Sequence, residues 1–387
     1  MNLKILPLLL LTLLTLCACG SATFEGNEHF SPVGEAVWED AKNFSEGFAA
    51  VKKDGLWGYV DENGDIAIEP RFESVWNFSE GLAAVQIDGL WGYINTNGDV
   101  VIEPVYQSTW GFSEGLAAVQ SAELYNYYGY INAKGETVIE PQFKYAKSFK
   151  NGLALVQGGE LVATGHKFAF VKADGSILGD FQWFGAEEFS EGLAEVFMTY
   201  ESAFVDTDGN IIIDYIIDDA KKFSEGLAPY AESIKWGYMN TKGEPVIEAQ
   251  YDDAESFSEG IAVVKKDFNY GFIDKNGNEL TEIAYKYAYS AKDGRARVGK
   301  LELLTAKFGY IDLEGNEVIP PQYFDAKDFS EGYAAVQPTN GGKWAVIDIN
   351  GNTVIAPTFD GITSFENGYA VYKIGGRYGL IKVQNAE

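Results

Sequence analysis

Residues 78–106 read FSEGLAAVQIDGLWGYINTNGDVVIEPVY. The stretch 81–85, Gly-Leu-Ala-Ala-Val, predicts a first strand. The stretch 91–95, Trp-Gly-Tyr-Ile-Asn, alternates with period 2 and predicts a second. Asn97-Gly98 predicts a type I′ hairpin turn, because both residues accept positive φ. Residues 99–103 predict a third strand, stopped at Pro104, which has no N–H to give a ladder. Residues 106–110 lead onward as a short fourth. Such short connections make the pairing antiparallel.

The same text recurs along the chain. Phe-Ser-Glu-Gly begins at Phe44, Phe78, Phe112, Phe189, Phe223, Phe257 and Phe329, with weaker copies at Phe149, Ala291 and Phe365. That makes ten units, mostly 34 residues apart, and a fixed period of this size signals a repeat architecture. An aromatic-Gly landmark follows in each unit: Trp-Gly at 57, 91 and 236, and Tyr-Gly at 128, 270 and 378. Elsewhere it is Phe168-Ala169, Phe308-Gly309, Trp344-Ala345 and a degenerate Ser202-Ala203. From each landmark to the next Phe position is 21 residues in all nine cases. From the Phe position to the landmark it is 13 in six units, but 16, 19, 17 and 15 in the third, fourth, eighth and ninth. Insertions are tolerated in surface loops and shift the register of packed strands. The 21-residue block is therefore packed structure, and the other connection is an open loop.

These patterns predict an all-β fold: a tandem array of about ten antiparallel units of three to four strands. Thirty-four residues is short for a propeller blade, and ten blades exceed the usual ring. An open or superhelical, solenoid-like array is the first expectation and a propeller-like ring the alternative. The chain opens on 37–41, the piece just before the first Phe-Ser-Glu-Gly, and ends soon after Tyr378-Gly379-Leu380-Ile381 without a Glu-Pro strand. In a ring, that offset lets the N-terminal strand complete the last unit.

Residues 44–72, 78–106 and 223–251 closely resemble the bacterial WG-repeat family, and the resemblance extends over 36–382. It implies a β-rich repeat domain, often on exported or surface proteins. The family supplies no catalytic residues to carry over. The fourth and fifth units, with Phe168-Ala169 and Ser202-Ala203, depart from the pattern, so a site common to all units would be lost there.

Residues 1–20 read as a processing signal. Lys4 supplies a short basic start, and the apolar run 5–16 is too short for a spanning helix. Leu16-Cys17-Ala18-Cys19 resembles a bacterial lipobox, with Ala18 the small residue before the lipidated Cys19. The expected organisation is a lipoprotein signal peptide over 1–18, a polar tether over 19–35 and the repeat domain over 36–387. Both cysteines lie in the signal region, so no disulfide is expected in the mature domain.

The charge of −28 argues against a nucleic-acid partner, which needs clustered Lys and Arg. Glu46, Glu80, Glu114, Glu191, Glu225, Glu259 and Glu331 recur at one place in the unit. Repetition suits a turn cap or a link between units better than a catalytic pair, which occurs once per site. Asp61–Asp65 and Asp206–Asn210 faintly resemble calcium loops but lack the full ligand set, so no cofactor is expected beyond weak Ca²⁺ binding. His29 and His166 are the only histidines, and no Ser-His-Asp or zinc set can be assembled. The recurring landmark aromatics are expected to pack in the core. Candidate contact residues lie in the variable loops 121–127, 158–167, 299–307 and 338–343, with Tyr125, Tyr127, His166 and Leu301 the foremost. The expected function is a non-enzymatic, surface-anchored lipoprotein binding an envelope protein or glycan, attached to the membrane through Cys19. A structural spacer and a hydrolase on a propeller-like fold are the alternatives.

Overall fold

The computed structural model describes residues 24–122, 127–162, 165–198 and 201–384. Every regular element among them is a β-strand, in keeping with the all-β repeat expectation. Units are numbered 1 to 10 from Phe44 to Phe365 by their Phe positions. Unit 2 shows the plan: an edge strand Ser74–Val75, then Leu82–Ile87, Leu90–Asn95 and Val100–Thr109, hydrogen-bonded in that order and antiparallel.

Two hairpin turns and one bulged turn join these strands. Ser79 and Leu82 exchange both backbone hydrogen bonds, with Glu80 and Gly81 between them at φ 55° and 76°. Asp88 and Gly89, at 51° and 78°, make the second such turn. Both are type I′. Asn97-Gly98 corrects the sequence reading: only Gly98 has positive φ, and its N–H bonds Asn95 O as in a type I turn closed by a glycine bulge. The cause is local. The Asn95 side chain accepts the N–H groups of Asn97 and Asp99 at 3.0 and 2.9 Å and holds Asn97 in the right-handed region.

The third strand also runs past Pro104 instead of stopping there. Its register jumps from Tyr93↔Ile102 to Trp91↔Tyr106, so residues 103–105 arch over Gly92. A Cβ on Gly92 would lie 2.4 Å from Ile102 O, which explains the glycine of the landmark. Proline is tolerated because it sits at a bulge on the outer strand, where no ladder bond is lost. Tyr106 pairs with Trp91 and also with Ser121 of unit 3, so one strand serves two units.

In units 1 to 8 a fully buried ring stands not at the landmark but two positions later. Tyr59, Tyr93, Tyr130, Tyr238 and Tyr310 are wholly buried. Tyr59 packs on Phe78 of unit 2 at 4.8 Å between ring centres, Tyr93 on Phe112 at 4.9 Å, and Tyr238 on Phe257 at 4.8 Å. Each Tyr also donates its hydroxyl to a backbone carbonyl just before that Phe, as Tyr59 does to Trp76 O at 2.6 Å. Burial raises these phenols far above their ordinary pKa. The constant 21-residue block thus encloses the span from one unit's buried Tyr, two residues after the landmark, to the next unit's Phe. The length of that span is set by its two packed ends.

The termini decide between the open array and the ring. Phe30–Trp38 pairs with the last strand, Arg377–Val383, through Phe30↔Val383 and Trp38↔Tyr378. Nine hydrophobic cores each join a unit to its successor. A tenth joins unit 10 to unit 1, with Val33, Trp38, Phe44 and Val51 packed among Tyr369, Val371 and Leu380. The array therefore closes into a ring of sheets, those of units 2 and 3 joined into one, and the open arrangement is replaced by the alternative. The expected tether 19–35 is shortened for the same reason: Phe30 is wholly buried and Phe24 packs on Phe359 at 5.4 Å. Nothing in the polar text of 21–35 shows a partner strand some 350 residues away in sequence.

Candidate functional site

The recurring glutamates link unit to unit. In a two-residue type I′ turn the central N–H groups point away from the hairpin and need an acceptor. Glu46 takes both from the next unit, Glu80 N at 2.7 Å and Gly81 N at 2.9 Å. Glu114 does so for Asn151 and Gly152, Glu191 for Glu225 and Gly226, and Glu259 for Asp293 and Gly294. Ser45 adds a bond to Phe78 O at 2.7 Å, and Ser79 and Ser113 repeat it. The Phe-Ser-Glu-Gly face of the ring is thus committed to holding the ring together.

The acidic bulged turns are likewise engaged. Asp206 accepts from Asn210 Nδ2 and from the backbone of Asp208 and Asn210 at 2.8 to 2.9 Å. The Asn210 side chain first, then these backbone N–H groups, lower the Asp206 pKa below the ordinary carboxylate value. Among the described residues, no group of three or more His, Cys, Asp or Glu is placed to hold a metal.

The landmark aromatics, expected in the core, sit at its margin. Trp57 is buried, but Trp91, Tyr128, Trp236 and Trp344 are half-buried. Lys42 lies over Trp57 at 5.2 Å, and Lys221 over Trp236 at 5.1 Å. Trp76 contacts Trp91 and Trp110 at 6.5 and 5.7 Å.

The hairpin that precedes each landmark is the connection of variable length. In units 1 and 2 its tip is Asp54-Gly55 and Asp88-Gly89. In units 6, 7 and 8 the tips are Ser233-Ile234, Asp267-Phe268 and Leu303-Leu304. Ile234 is 84% exposed, Phe268 83%, Leu303 99% and Leu304 97%. Phe268 has φ 65° and Leu303 58°, a region that a bulky side chain enters only at a cost. Because the three units are consecutive and the tips occupy one place in each, they line one rim of the ring.

The pattern that carries this geometry is matched nine times by the family described as WG containing repeat, at residues 33–57, 57–91, 91–125, 128–160, 203–231, 236–267, 270–301, 308–344 and 344–378. The chain belongs to the WG-repeat family. The WG repeats leave 161–202 unmatched, the stretch that runs from the fourth unit's insertion to the degenerate landmark Ser202. No curated protein sequence matches significantly. Among solved structures, the eukaryotic initiation factor is similar at 12% identity and TM-score 0.48, over 88% of this chain and 98% of that one. The extracellular domain of the hybrid two-component system BT3049 from B. thetaiotaomicron matches at 9% identity and TM-score 0.27, over 88% of this chain and 57% of that one. Kluyveromyces lactis Hsv2 matches at 10% identity and TM-score 0.29, over 67% and 92%.

The WG-repeat ring places the contact residues named from the sequence unevenly. Cys19, Tyr125 and the His166 side chain lie outside the described residues. Tyr127 is half-buried, with Lys144 Nζ 3.7 Å from its ring centre. Leu301 is 49% exposed and stands beside the Leu303-Leu304 tip. Ile234 and Phe268 were missed because their loops are of the short, invariant length. The signal for them was substitution, not insertion: an apolar residue where sister units have glycine in a left-handed turn.

Proposed function

We propose that this WG-repeat protein is a non-enzymatic binding scaffold of the cell envelope, exported and held on the extracytoplasmic membrane face by lipid at Cys19. Its partner is an envelope protein or glycan, engaged by the hairpin rim of units 6 to 8. The observation that carries this reading is the set of four apolar residues, 83 to 99% exposed, on three adjacent tips. Apolar side chains so fully exposed, two of them, Phe268 and Leu303, in backbone conformations that favour glycine, serve neither stability nor solubility. The opposite face is occupied by its own carboxylate-to-turn bonds. The scaffold works without a cofactor, its turn carboxylates bind Ca²⁺ at most weakly, and its acidity excludes nucleic acid.

The test is a binding titration on purified envelope fractions, with Ile234→Lys, Phe268→Gly and Leu304→Asp combined in the full chain. Saturable binding by the parent and at least a tenfold loss in the variant are expected, with an unchanged circular dichroism spectrum. Protease or glycosidase treatment of the fraction separates protein from glycan. Equal binding by both chains would remove the rim from consideration.

A further inference from the structure

Unit 5 departs from its sisters at two neighbouring positions. Ser202 stands where they have the landmark aromatic, and Glu195 where units 1 to 3 have Ala50, Ala84 and Ala118. The register is the common one: Ser202 pairs with Ile217 as Trp91 pairs with Tyr106, and Glu195 with Phe204 as Ala84 with Tyr93. A cleft of ≈ 480 Å³ lies beside this pair, lined by Glu195, Phe197, Glu187 and Asp219 among others, with Ser202 buried behind it.

Glu195 is only 3% exposed, and its Oε1 has no hydrogen-bond partner. Burial pushes its carboxyl up to about 8; the Ser202 hydroxyl works against this, while the charges of Asp219 and Glu187 add to it. The lysines of the cleft do not neutralise it. Lys147 is bonded to Glu188 at 3.0 Å, Lys221 to Asp253 and Glu255 at 3.1 and 2.9 Å, and Lys222 is at the exposed surface. Unit 10 has a smaller cleft at the same place with Val371 in the position of Glu195, so the buried acid with one unbonded oxygen is particular to unit 5, and leaving such an atom without a partner is costly.

We propose that the unit 5 cleft binds an organic cation, an ammonium or guanidinium group, with Glu195 as its counter-ion and the Phe197 ring against its carbon chain. A metal ion is the poorer occupant: no three metal-binding side chains converge among the described residues, and ≈ 480 Å³ lies within the range of small-molecule pockets. Without a counter-ion, burial keeps Glu195 neutral at pH 7. Entry of the cation ionises it, and the carboxyl proton passes to solvent, so binding releases up to one proton and tightens as pH rises.

The experiment is calorimetric titration of the full chain with butylammonium and ethylguanidinium chloride, with butanol as the neutral control. Lysine and arginine amides within a tripeptide are the second arm. Saturable binding of the cations but not of butanol is expected, strengthening about tenfold from pH 6 to 7 and levelling above pH 8. Glu195→Gln should lower affinity about tenfold or more and abolish the pH dependence. Phe197→Ala, which keeps the carboxyl and removes the apolar wall, should weaken binding about tenfold, and stands in should Glu195→Gln fail to fold. Tighter binding of the tripeptides assigns the cation to a partner's basic side chain; equal binding assigns a free amine. No saturable heat with any cation, or binding unchanged in both variants, overturns the proposal. The rim variants should leave this titration unchanged, so its outcome is separate from that of the rim.

Discussion

The Glu46 carboxylate accepts the backbone N–H groups of Glu80 and Gly81 across the boundary between the first two units. Glu46 is itself in a left-handed conformation, φ 51°, as is Glu80, whose N–H it accepts. Two terms can be separated by substitution. Glu46→Ala removes the acceptor and keeps the strain, and should cost about 1 kcal/mol of unfolding free energy, since the site is exposed. Glu46→Gly removes the acceptor but relieves the strain, and should be more stable than the alanine variant by about 1 kcal/mol. Urea unfolding of the two variants checks this; equal midpoints would show that the conformational term is absent.

Ring closure rests on Phe30–Trp38. A chain beginning at residue 39 would uncover the partners of Phe30, Val33 and Trp38 in two cores at once. It should unfold many degrees lower and lose cooperativity, and small-angle scattering should show a larger radius. In an open array the same truncation would disturb one end only, and scattering would report little change per residue.

Glu195 makes stability depend on pH in a particular direction. Its folded pKa is raised to about 8, above the ordinary carboxylate value that holds in the unfolded chain. Between those two values the folded state binds more protons than the unfolded, so stability falls as pH rises, by on the order of 1 kcal/mol per unit. The loss should run from about pH 4.5 to 8 and then level. Glu195→Gln should flatten the profile, leaving pH 5 stability nearly unchanged and raising stability at pH 8. Thermal melts at four pH values suffice, and parallel profiles would rule out this titration.

Gly92→Ala tests the arch of the outer strand. A Cβ there would stand 2.4 Å from Ile102 O and 2.7 Å from Pro104 N. Units 4, 5 and 9 nevertheless carry Ala169, Ala203 and Ala345 in the same register, so the strand can give way. A cost of about 1–3 kcal/mol is expected, well short of unfolding, while Gly92→Val should prevent the arch. A neutral alanine would show that the approach does not limit the fold.

Phe268→Gly should stabilise the ring by up to about 1 kcal/mol, because glycine suits φ 65° and the ring of Phe268 is 83% exposed. The same change should weaken partner binding. Gain of stability with full binding would make Phe268 a tolerated accident.

The text of residues 78–106 was enough to determine the strand order of a unit, its antiparallel pairing and the tenfold repetition, because these depend on contacts near in sequence. The constant spacing of 21 residues also identified the packed block, although not the buried Tyr inside it that packs on the next unit's Phe. The role of the recurring glutamates as links was legible from their repetition alone. Tertiary structure decided the rest. Closure depends on Phe30 meeting Val383, a pairing that no local pattern encodes. The turn type at Asn97-Gly98 depends on a side-chain bond from Asn95. The acid of the unit 5 cleft depends on Ser202 and Glu195, seven residues apart, sharing one face of adjacent strands, where one oxygen of Glu195 stays unbonded.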